Sequence, residues 1–137
     1  AAPAELPDEA ILIARILDRR QLADYVAMAR EDLQLATLVE IHNEKEVEAA
    51  LDAKAAIIGI NNRDLRTFEV SLETTARLRR FIPPEVVVVS ESGIGTRDDL
   101  VLLKAMNVDA ALIGEELVKS DDPAARIREL LDERTGR

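Results

Sequence analysis

The 137-residue sequence contains no cysteine and only one histidine, His42. Without cysteine the chain can form neither a disulfide nor a thiolate metal site, and one histidine cannot build a histidine-based metal cluster. We therefore expect no metal and no other cofactor.

Aromatic residues are also scarce, and basic residues are outnumbered by acidic ones. Phe, Trp and Tyr make up 2% of the chain, which removes the stacking surfaces on which proteins bind single-stranded nucleic acid. The formal net charge is −9, so a phosphate backbone would be repelled. Nucleic acid is therefore not an expected partner.

Long hydrophobic runs are missing too. The longest apolar run is far shorter than a membrane span, and the opening AAPAELPDEA has neither the basic nor the apolar region of a secretion signal. We predict a cytoplasmic protein with no membrane partner. The length suits a single domain over residues 1–137, with residues 1–9 as an irregular amino-terminal segment.

The sequence does contain a repeating alternation of strand and helix patterns. Short, nearly continuous runs rich in Val, Ile and Leu are typical of strands covered on both faces, and they occur at residues 10–17, 36–41, 55–61, 85–91 and 109–115. Helical spacing of apolar residues follows each run, at residues 19–32, 44–54, 71–82, 96–107 and 121–134. Ser71 and Thr96 are the predicted N-caps of two of these helices.

Such an alternation predicts a parallel sheet with right-handed crossovers. One fold that satisfies it is a partial (β/α)8 TIM barrel of five parallel strands alternating with helices, because a whole barrel needs about 200 residues or more. The alternative is a flavodoxin-like open sheet with helices on both faces.

Polar and small residues gather where the predicted strands end. Four predicted strands in succession end in such residues: the second in Glu40, the third in Asn61 followed by Arg63, the fourth in Glu91 and Ser92, and the fifth in Gly114 and Glu115. Parallel α/β folds bind their ligands at the carboxyl ends of the strands. Because side chains alternate along a strand, Glu40, Asn61 and Glu91 are expected to converge on one face. A solvated strand end is the alternative interpretation for any one of them, but four coincident ends favour a site.

The last two predicted strands lead into glycine turns, SGIG at residues 92–95 and GEE at residues 114–116. Small residues expose backbone N–H groups to an anion, and barrels commonly bind phosphate in the loops after their last two strands. Each turn alone is a weak pattern. Two turns on neighbouring strands favour a phosphate site.

Longer motifs resemble a known family. The segments LVEIHNEKEVEAAL, IIGINNRDLRTFEVSLETT, IPPEVVVVSESGIGTRDDL and VDAALIGEELVKSDDP resemble, in order and spacing, the carboxyl-terminal part of indole-3-glycerol-phosphate synthase. The similarity extends from about Ala10 to Leu131, and GINNRDL together with VSESGI is highly specific to that family. Phosphoribosylanthranilate isomerase is a weaker match, since it shares the glycine turns but not GINNRDL.

The resemblance implies the fourth to eighth strands of a (β/α)8 barrel from tryptophan biosynthesis. The family is a lyase that closes the indole ring of a carboxyphenylamino-deoxyribulose phosphate, with loss of carbon dioxide and water. By motif match, Glu40 and Glu91 would be catalytic carboxylates, Asn61 would hold the substrate and Arg63 would support the site. The residues implied for the phosphate are Ser92, Gly93, Gly114 and Glu115.

The sequence also departs from the family. The family's reaction uses lysines from its first and third strands, whereas the four lysines here fall on predicted helices or their ends. Losing a general acid costs about 10²- to 10⁴-fold in rate, so we expect no measurable turnover from this chain alone. Lys54 and Asn107 stand where the family usually has glycine, and Glu116 adds a negative charge near the expected phosphate.

Five strands wound in one direction would leave two free edges and an uncovered apolar inner face. We expect the chain to cover them as a homo-oligomer, for which symmetric dimers are the commonest form, or by binding a complementing amino-terminal barrel fragment. The chain is therefore interpreted as a carboxyl-terminal synthase fragment. The alternative is a non-catalytic, self-associating scaffold that retains only a phosphate-binding remnant.

Overall fold

A computed structural model describes residues 8–131 as five strands that alternate with helices. The strands are β1 (Glu9–Ile13), β2 (Ala36–Ile41), β3 (Ile57–Asn61), β4 (Val87–Glu91) and β5 (Ala110–Leu112). The helices are α1 (Arg19–Glu31), α2 (Glu44–Asp52), α3 (Glu73–Arg79), α4 (Arg97–Ala105), α5 (Glu115–Val118) and α6 (Pro123–Leu131), and a 3₁₀ turn at Ala14–Ile16 follows β1. Residues 1–7 of the expected irregular segment lie outside the described residues, and Glu9 already belongs to β1.

Two predicted helix starts differ in outcome. Thr96 caps α4 as predicted, because its side chain accepts the N–H of Asp99. Helix α3 begins later than predicted, at Glu73, and Leu72 occupies its N-cap position. Ser71 still contributes at this end, since its hydroxyl oxygen accepts the N–H of Glu73 at 3.2 Å.

Three of the loops that leave a helix pass through a left-handed residue that is not glycine. These residues are Gln34 after α1, Lys54 after α2 and Asn107 after α4, with φ angles of 53°, 59° and 57°. Glycine is the usual residue at this position because a Cβ atom disfavours the conformation. Lys54 and Asn107 stand where the resembling family usually has glycine, so the backbone at these two turns is less favourable than it would be with glycine.

The sheet is wholly parallel, with the strands in the order β1-β2-β3-β4-β5. Sequential order is that of successive barrel units, whereas a flavodoxin-like sheet has the order 2-1-3-4-5. The partial barrel is therefore confirmed, and the flavodoxin-like alternative is wrong. The helix-covered face forms the core, where Val39, Ile58 and Val88 are fully buried beneath side chains such as Leu22 and Leu78.

The opposite face of the sheet is the inner face of the partial barrel, and it is open. Ile11, Leu38, Ile57, Val87 and Val89 line an apolar groove of about 430 Å³ on it. Within the described residues, β1 and β5 each pair with a single neighbouring strand. None of the helices in this part of the chain is long and apolar enough to cross a membrane.

Candidate active site

Glu40, Asn61 and Glu91 meet at the carboxyl ends of β2, β3 and β4. Asn61 lies opposite Glu91 in the sheet register, and its side-chain amide donates a hydrogen bond of 3.1 Å to Glu40 Oε1. Gly59 makes this arrangement possible, because a Cβ there would overlap Glu91 Oε1 and would lie 2.6 Å from Leu38 Cδ2. The missing side chain gives the Glu91 carboxyl room to lie across β3 towards Glu40.

The Glu91 carboxyl is buried, and its pKa is strongly raised. The residue is 4% exposed, and its Oε1 has no hydrogen-bond partner among the described residues. Burial, together with the charge and contact of the Glu40 carboxyl, raises the pKa of Glu91 to about 7. Near neutral pH Glu91 is therefore partly protonated, so this buried carboxyl can act as a proton donor or as a proton acceptor.

His42 lies between Glu40 and Glu46, and the sequence analysis assigned it no role. Its side chain is 8% exposed, with Nε2 at 3.5 Å from Glu40 Oε1 and Nδ1 at 3.4 Å from Glu46 Oε2. Neither ring nitrogen has a hydrogen-bond partner within the described part of the chain. Its position two residues after Glu40, on the same side of the strand end, is the signal that could have indicated it.

Asn61 also joins the carboxylates to the neighbouring loops. Its side-chain oxygen accepts the backbone N–H of Arg63 at 3.0 Å and the Ser92 hydroxyl at 2.9 Å. The Arg63 guanidinium extends from β3 to the start of α5, where it donates to Glu115 at 3.1 Å. The Asn61 side chain therefore links Glu40 to the loop that follows β3 and to the loop that follows β4.

A cavity of about 430 Å³ opens beside Glu91 at the ends of β4 and β5, and the glycine turns at residues 92–95 and 114–116 line it. Ser92 and Gly93 have positive φ angles of 70° and 73°. The backbone N–H groups of Gly93 and Ile94 have no acceptor within residues 8–131, whereas that of Gly95 is bound by Asp99 at 3.0 Å. Free N–H groups in such a turn are the feature that binds an anion.

Charges around this cavity are mostly negative. Arg63 is its only cationic lining residue in the described part of the chain, against four carboxyl residues: Glu91, Asp99, Glu115 and Glu116. Two of the four have nearby cations, since Glu115 lies 2.7 Å from Lys119 and Glu116 lies 3.5 Å from Arg126. The hydrogen bond and charge of Lys119 lower the pKa of Glu115. An anion bound here would meet backbone N–H groups within a partly neutralised acidic rim.

A second cleft, of about 450 Å³, lies on the other side of Asn61 and Arg63 and was not foreseen from the sequence. Its cationic lining residues are Arg15, Arg63, Arg66 and Arg77, and His42 lies among them. These arginines come from the 3₁₀ turn after β1, the loop after β3 and helix α3, so no local sequence pattern reveals the cluster. The basic cleft is the one place in the described structure where arginines gather beside the site.

Comparisons with known proteins place these residues in a family. A family model described as indole-3-glycerol phosphate synthase matches residues 4–130. A protein of that name from Dehalococcoides mccartyi is 48% identical over 124 residues, which cover 90% of this chain and 48% of the relative. Another from Endomicrobium trichonymphae is 49% identical over 125 residues, covering 91% of this chain and 48% of the relative. The chain thus spans about half the length of the curated relatives it matches.

The fold has a more distant counterpart among solved structures. A chain of the Amycolatopsis orientalis BexX/CysO complex superposes with a TM-score of 0.60 at 19% identity, covering 82% of this chain and 48% of the other. That likeness concerns the fold alone. The family model and the two relatives decide the assignment, and the chain belongs to the indole-3-glycerol phosphate synthase family.

Proposed function

We propose that this chain forms the carboxyl-terminal half of an indole-3-glycerol-phosphate synthase active site. The observation that carries the proposal is the convergence of Glu40, Asn61 and Glu91 at one mouth, beside a cavity lined by both glycine turns. The substrate would be a carboxyphenylamino-deoxyribulose 5-phosphate, and the reaction a ring closure with loss of carbon dioxide and water. The cytoplasm, where small sugar phosphates are processed, remains the predicted location.

In this proposal the two carboxyls divide the proton transfers. Ring closure and dehydration need a donor near the departing oxygen and an acceptor near the ring carbon that loses its proton. The raised pKa of Glu91, about 7, suits it to donate the proton, and the neighbouring Glu40 carboxyl is the proposed acceptor. Asn61 would hold the substrate between them, and Arg63 would support the site from the β3 side.

The phosphate would bind at the turns after β4 and β5. The proposed contacts are Ser92, Gly93, Gly114 and Glu115, largely through backbone groups, and the unpaired N–H groups of Gly93 and Ile94 support this assignment. The cavity lies directly beside Glu91, which also lines it. A sugar phosphate bound there would place its carbon chain towards the carboxyl pair.

The chain alone is proposed to lack turnover. None of the lysines in the described structure lies at a strand end next to Glu40: Lys45 and Lys104 lie within α2 and α4, while Lys54 and Lys119 follow α2 and α5. A missing general acid costs about 10²- to 10⁴-fold in rate. Activity would then require a partner segment that supplies the first three strands of the barrel and their lysines.

Complementation tests this proposal. The chain would be mixed with the first three βα units of the Dehalococcoides mccartyi relative, and indole-3-glycerol phosphate formation would be followed with substrate. We expect product only in the mixture, and loss of product with Glu40→Gln but not with Glu85→Gln, an exposed residue before β4. A stable complex of the two parts that makes no product would contradict the proposal, as would full activity of the Glu40→Gln mixture.

A second candidate function is self-association without catalysis, and the open inner face favours it. Ile11, Val87 and Leu112 are exposed on that face, and β1 and β5 have free edges within the described residues. A second copy could cover both, because an isologous dimer pairs one surface with itself. Light scattering at micromolar concentration should show a dimer that Val87→Lys disrupts and Val101→Lys, on the exposed surface of α4, does not. A well-folded monomer would rule this function out.

A further inference from the structure

Asn62 is a buried polar residue whose side-chain hydrogen-bonding groups are all engaged. It is 2% exposed and lies on the opposite face of the β3 end from Asn61. Its amide nitrogen donates to Ser90 Oγ at 2.9 Å and to the carbonyl oxygen of Ser92 at 3.1 Å. Its side-chain oxygen accepts the N–H of Thr75 at 3.2 Å and the Thr75 hydroxyl at 2.7 Å.

The backbone of Asn62 is also hydrogen-bonded to the end of β4 and to the segment before α3. Its N–H donates to the carbonyl oxygen of Glu91 at 2.8 Å, and its own carbonyl oxygen accepts the N–H of Ser71 at 3.1 Å. The residue therefore connects the end of β3 to the end of β4 and to the chain that enters α3.

Ser92 is the residue that these contacts hold in an unfavourable conformation. Its φ of 70° places an L-residue in the left-handed region, next to Gly93 with a φ of 73°. Asn61 accepts its hydroxyl at 2.9 Å on the inner side, and Asn62 donates to its carbonyl oxygen at 3.1 Å on the outer side. Strained backbone of this kind persists where the surroundings over-determine it.

We infer that Asn62 is a positioning residue, which clamps the Ser92 carbonyl and so keeps the N–H groups of Gly93 and Ile94 directed at the anion cavity. Asn62 does not itself line that cavity, whereas Ser92, to which it donates a hydrogen bond, does. It acts through Ser92, whose peptide orientation sets the turn that follows. The phosphate part of this inference rests on the proposed function, whereas the control of Ser92 geometry does not.

The test compares two changes in the same buried network. Asn62→Asp keeps the shape and the oxygen that faces Thr75 but replaces the donor to Ser92 by an acceptor. Thr75→Val removes hydroxyl bonds to Asn62 and Ser90 and leaves the Ser92 bond in place. Thr75→Val therefore controls for the loss of buried hydrogen bonds that do not involve Ser92. Asn62→Ser is a second variant that also removes the donor to Ser92.

The first readout is the conformation of Ser92, measured by NMR. A strong intraresidue NOE between the amide and α protons reports a positive φ, and it should be present in the wild type and in Thr75→Val. It should weaken in Asn62→Asp and Asn62→Ser. A wild-type spectrum that shows a negative φ at Ser92 overturns the inference whatever the variants do, and so does an unchanged NOE in Asn62→Asp.

The second readout is the affinity for inorganic phosphate. We expect Asn62→Asp to weaken it at least about tenfold and Thr75→Val to change it less than about twofold. In a Ser92→Gly background the same Asn62→Asp change should cost less than about threefold, since glycine adopts a positive φ without a clamp. Equal losses in Asn62→Asp and Thr75→Val refute the positioning role. If the wild type itself fails to bind phosphate, the proposed phosphate site fails, and the Ser92 conformation still decides the role of Asn62.

Discussion

Replacing Glu91 by glutamine is expected to change how the stability of the protein depends on pH. The pKa of Glu91 is raised from 4.5 to about 7, so the folded chain holds this proton over a range in which the unfolded chain has released it. Stability from this group is fully present below the unfolded value and falls as pH rises towards the folded value. Glutamine keeps the shape of the protonated carboxyl and cannot ionise. The stability of the Glu91→Gln variant should therefore not fall in this pH range through this group.

The size of the effect follows from the shift. Each pKa unit corresponds to about 1.4 kcal/mol, so the interval between the two values amounts to about 3 kcal/mol. The loss develops between the unfolded value of 4.5 and the folded value of about 7 and is complete above it. The charge of the neighbouring Glu40 carboxyl contributes to the shift, so the effect depends on both residues.

Urea unfolding from about pH 4 to about pH 8 measures this difference. The free energy of unfolding of Glu91→Gln minus that of the wild type should rise by about 3 kcal/mol across the range. Glu85→Gln, at an exposed position before β4, is the matched control and should show a constant difference. A constant difference for Glu91→Gln as well would refute the raised pKa of Glu91.

Three further changes have definite expected outcomes. Gly59→Ala should lower the free energy of unfolding in urea by about 1 to 3 kcal/mol, because its Cβ would overlap Glu91 and Leu38. Lys54→Gly should raise it by about 1 kcal/mol, since the φ of 59° is unfavourable for any residue with a Cβ. Glu116→Ser should raise the affinity for inorganic phosphate about fivefold in titration calorimetry, by removing about 1 kcal/mol of repulsion at the cavity.

Each of these changes has a matched control in the same chain. Gly114→Ala should leave stability unchanged, because a Cβ there meets no atom within 4 Å. Lys45→Gly, within α2, should destabilise by about 1 kcal/mol, the opposite of Lys54→Gly. Glu129→Ser removes another carboxylate paired with Arg126, away from the cavity, and should not alter phosphate affinity. Equal responses within any pair would contradict the structural reason given for it.

Much of the site could be predicted from strand periodicity. Parallel strands end at the same edge, and residues two apart share a face, so Glu40, Asn61 and Glu91 were expected together. In the structure Asn61 donates a hydrogen bond to Glu40, and the Glu91 carboxyl lies close enough to Glu40 for their charges to interact. Strand β2 has the predicted bounds of 36–41. The roles of these residues in catalysis stay predictions, as does phosphate binding at the glycine turns.

The structure shortens the two outer strands. The patterns at residues 10–17 and 109–115 predict longer strands than Glu9–Ile13 and Ala110–Leu112. A strand continues only while a neighbour offers hydrogen bonds, and each of these has one partner in the described sheet. Hydrophobic pattern alone does not contain that information, which is why Gly114 and Glu115 follow β5 instead of ending it.

Other features depend on side chains that meet from distant parts of the chain. The contact of Arg63 with Glu115 spans 52 positions, and the bond between Asn62 and Ser92 spans 30. Neither has a local sequence pattern, since rotamers and loop paths decide them. The placement of His42 between two carboxylates likewise follows from the geometry of the β2 end.

The most direct measurement of the central claim is where an anion binds on this chain. Backbone amide shifts would be recorded by NMR while inorganic phosphate is added to the wild type. The account predicts that Gly93, Ile94 and Gly114 shift together, with Glu91 responding beside them. Shifts confined to the basic cleft around Arg66 and Arg77, or no shifts at millimolar phosphate, would contradict it.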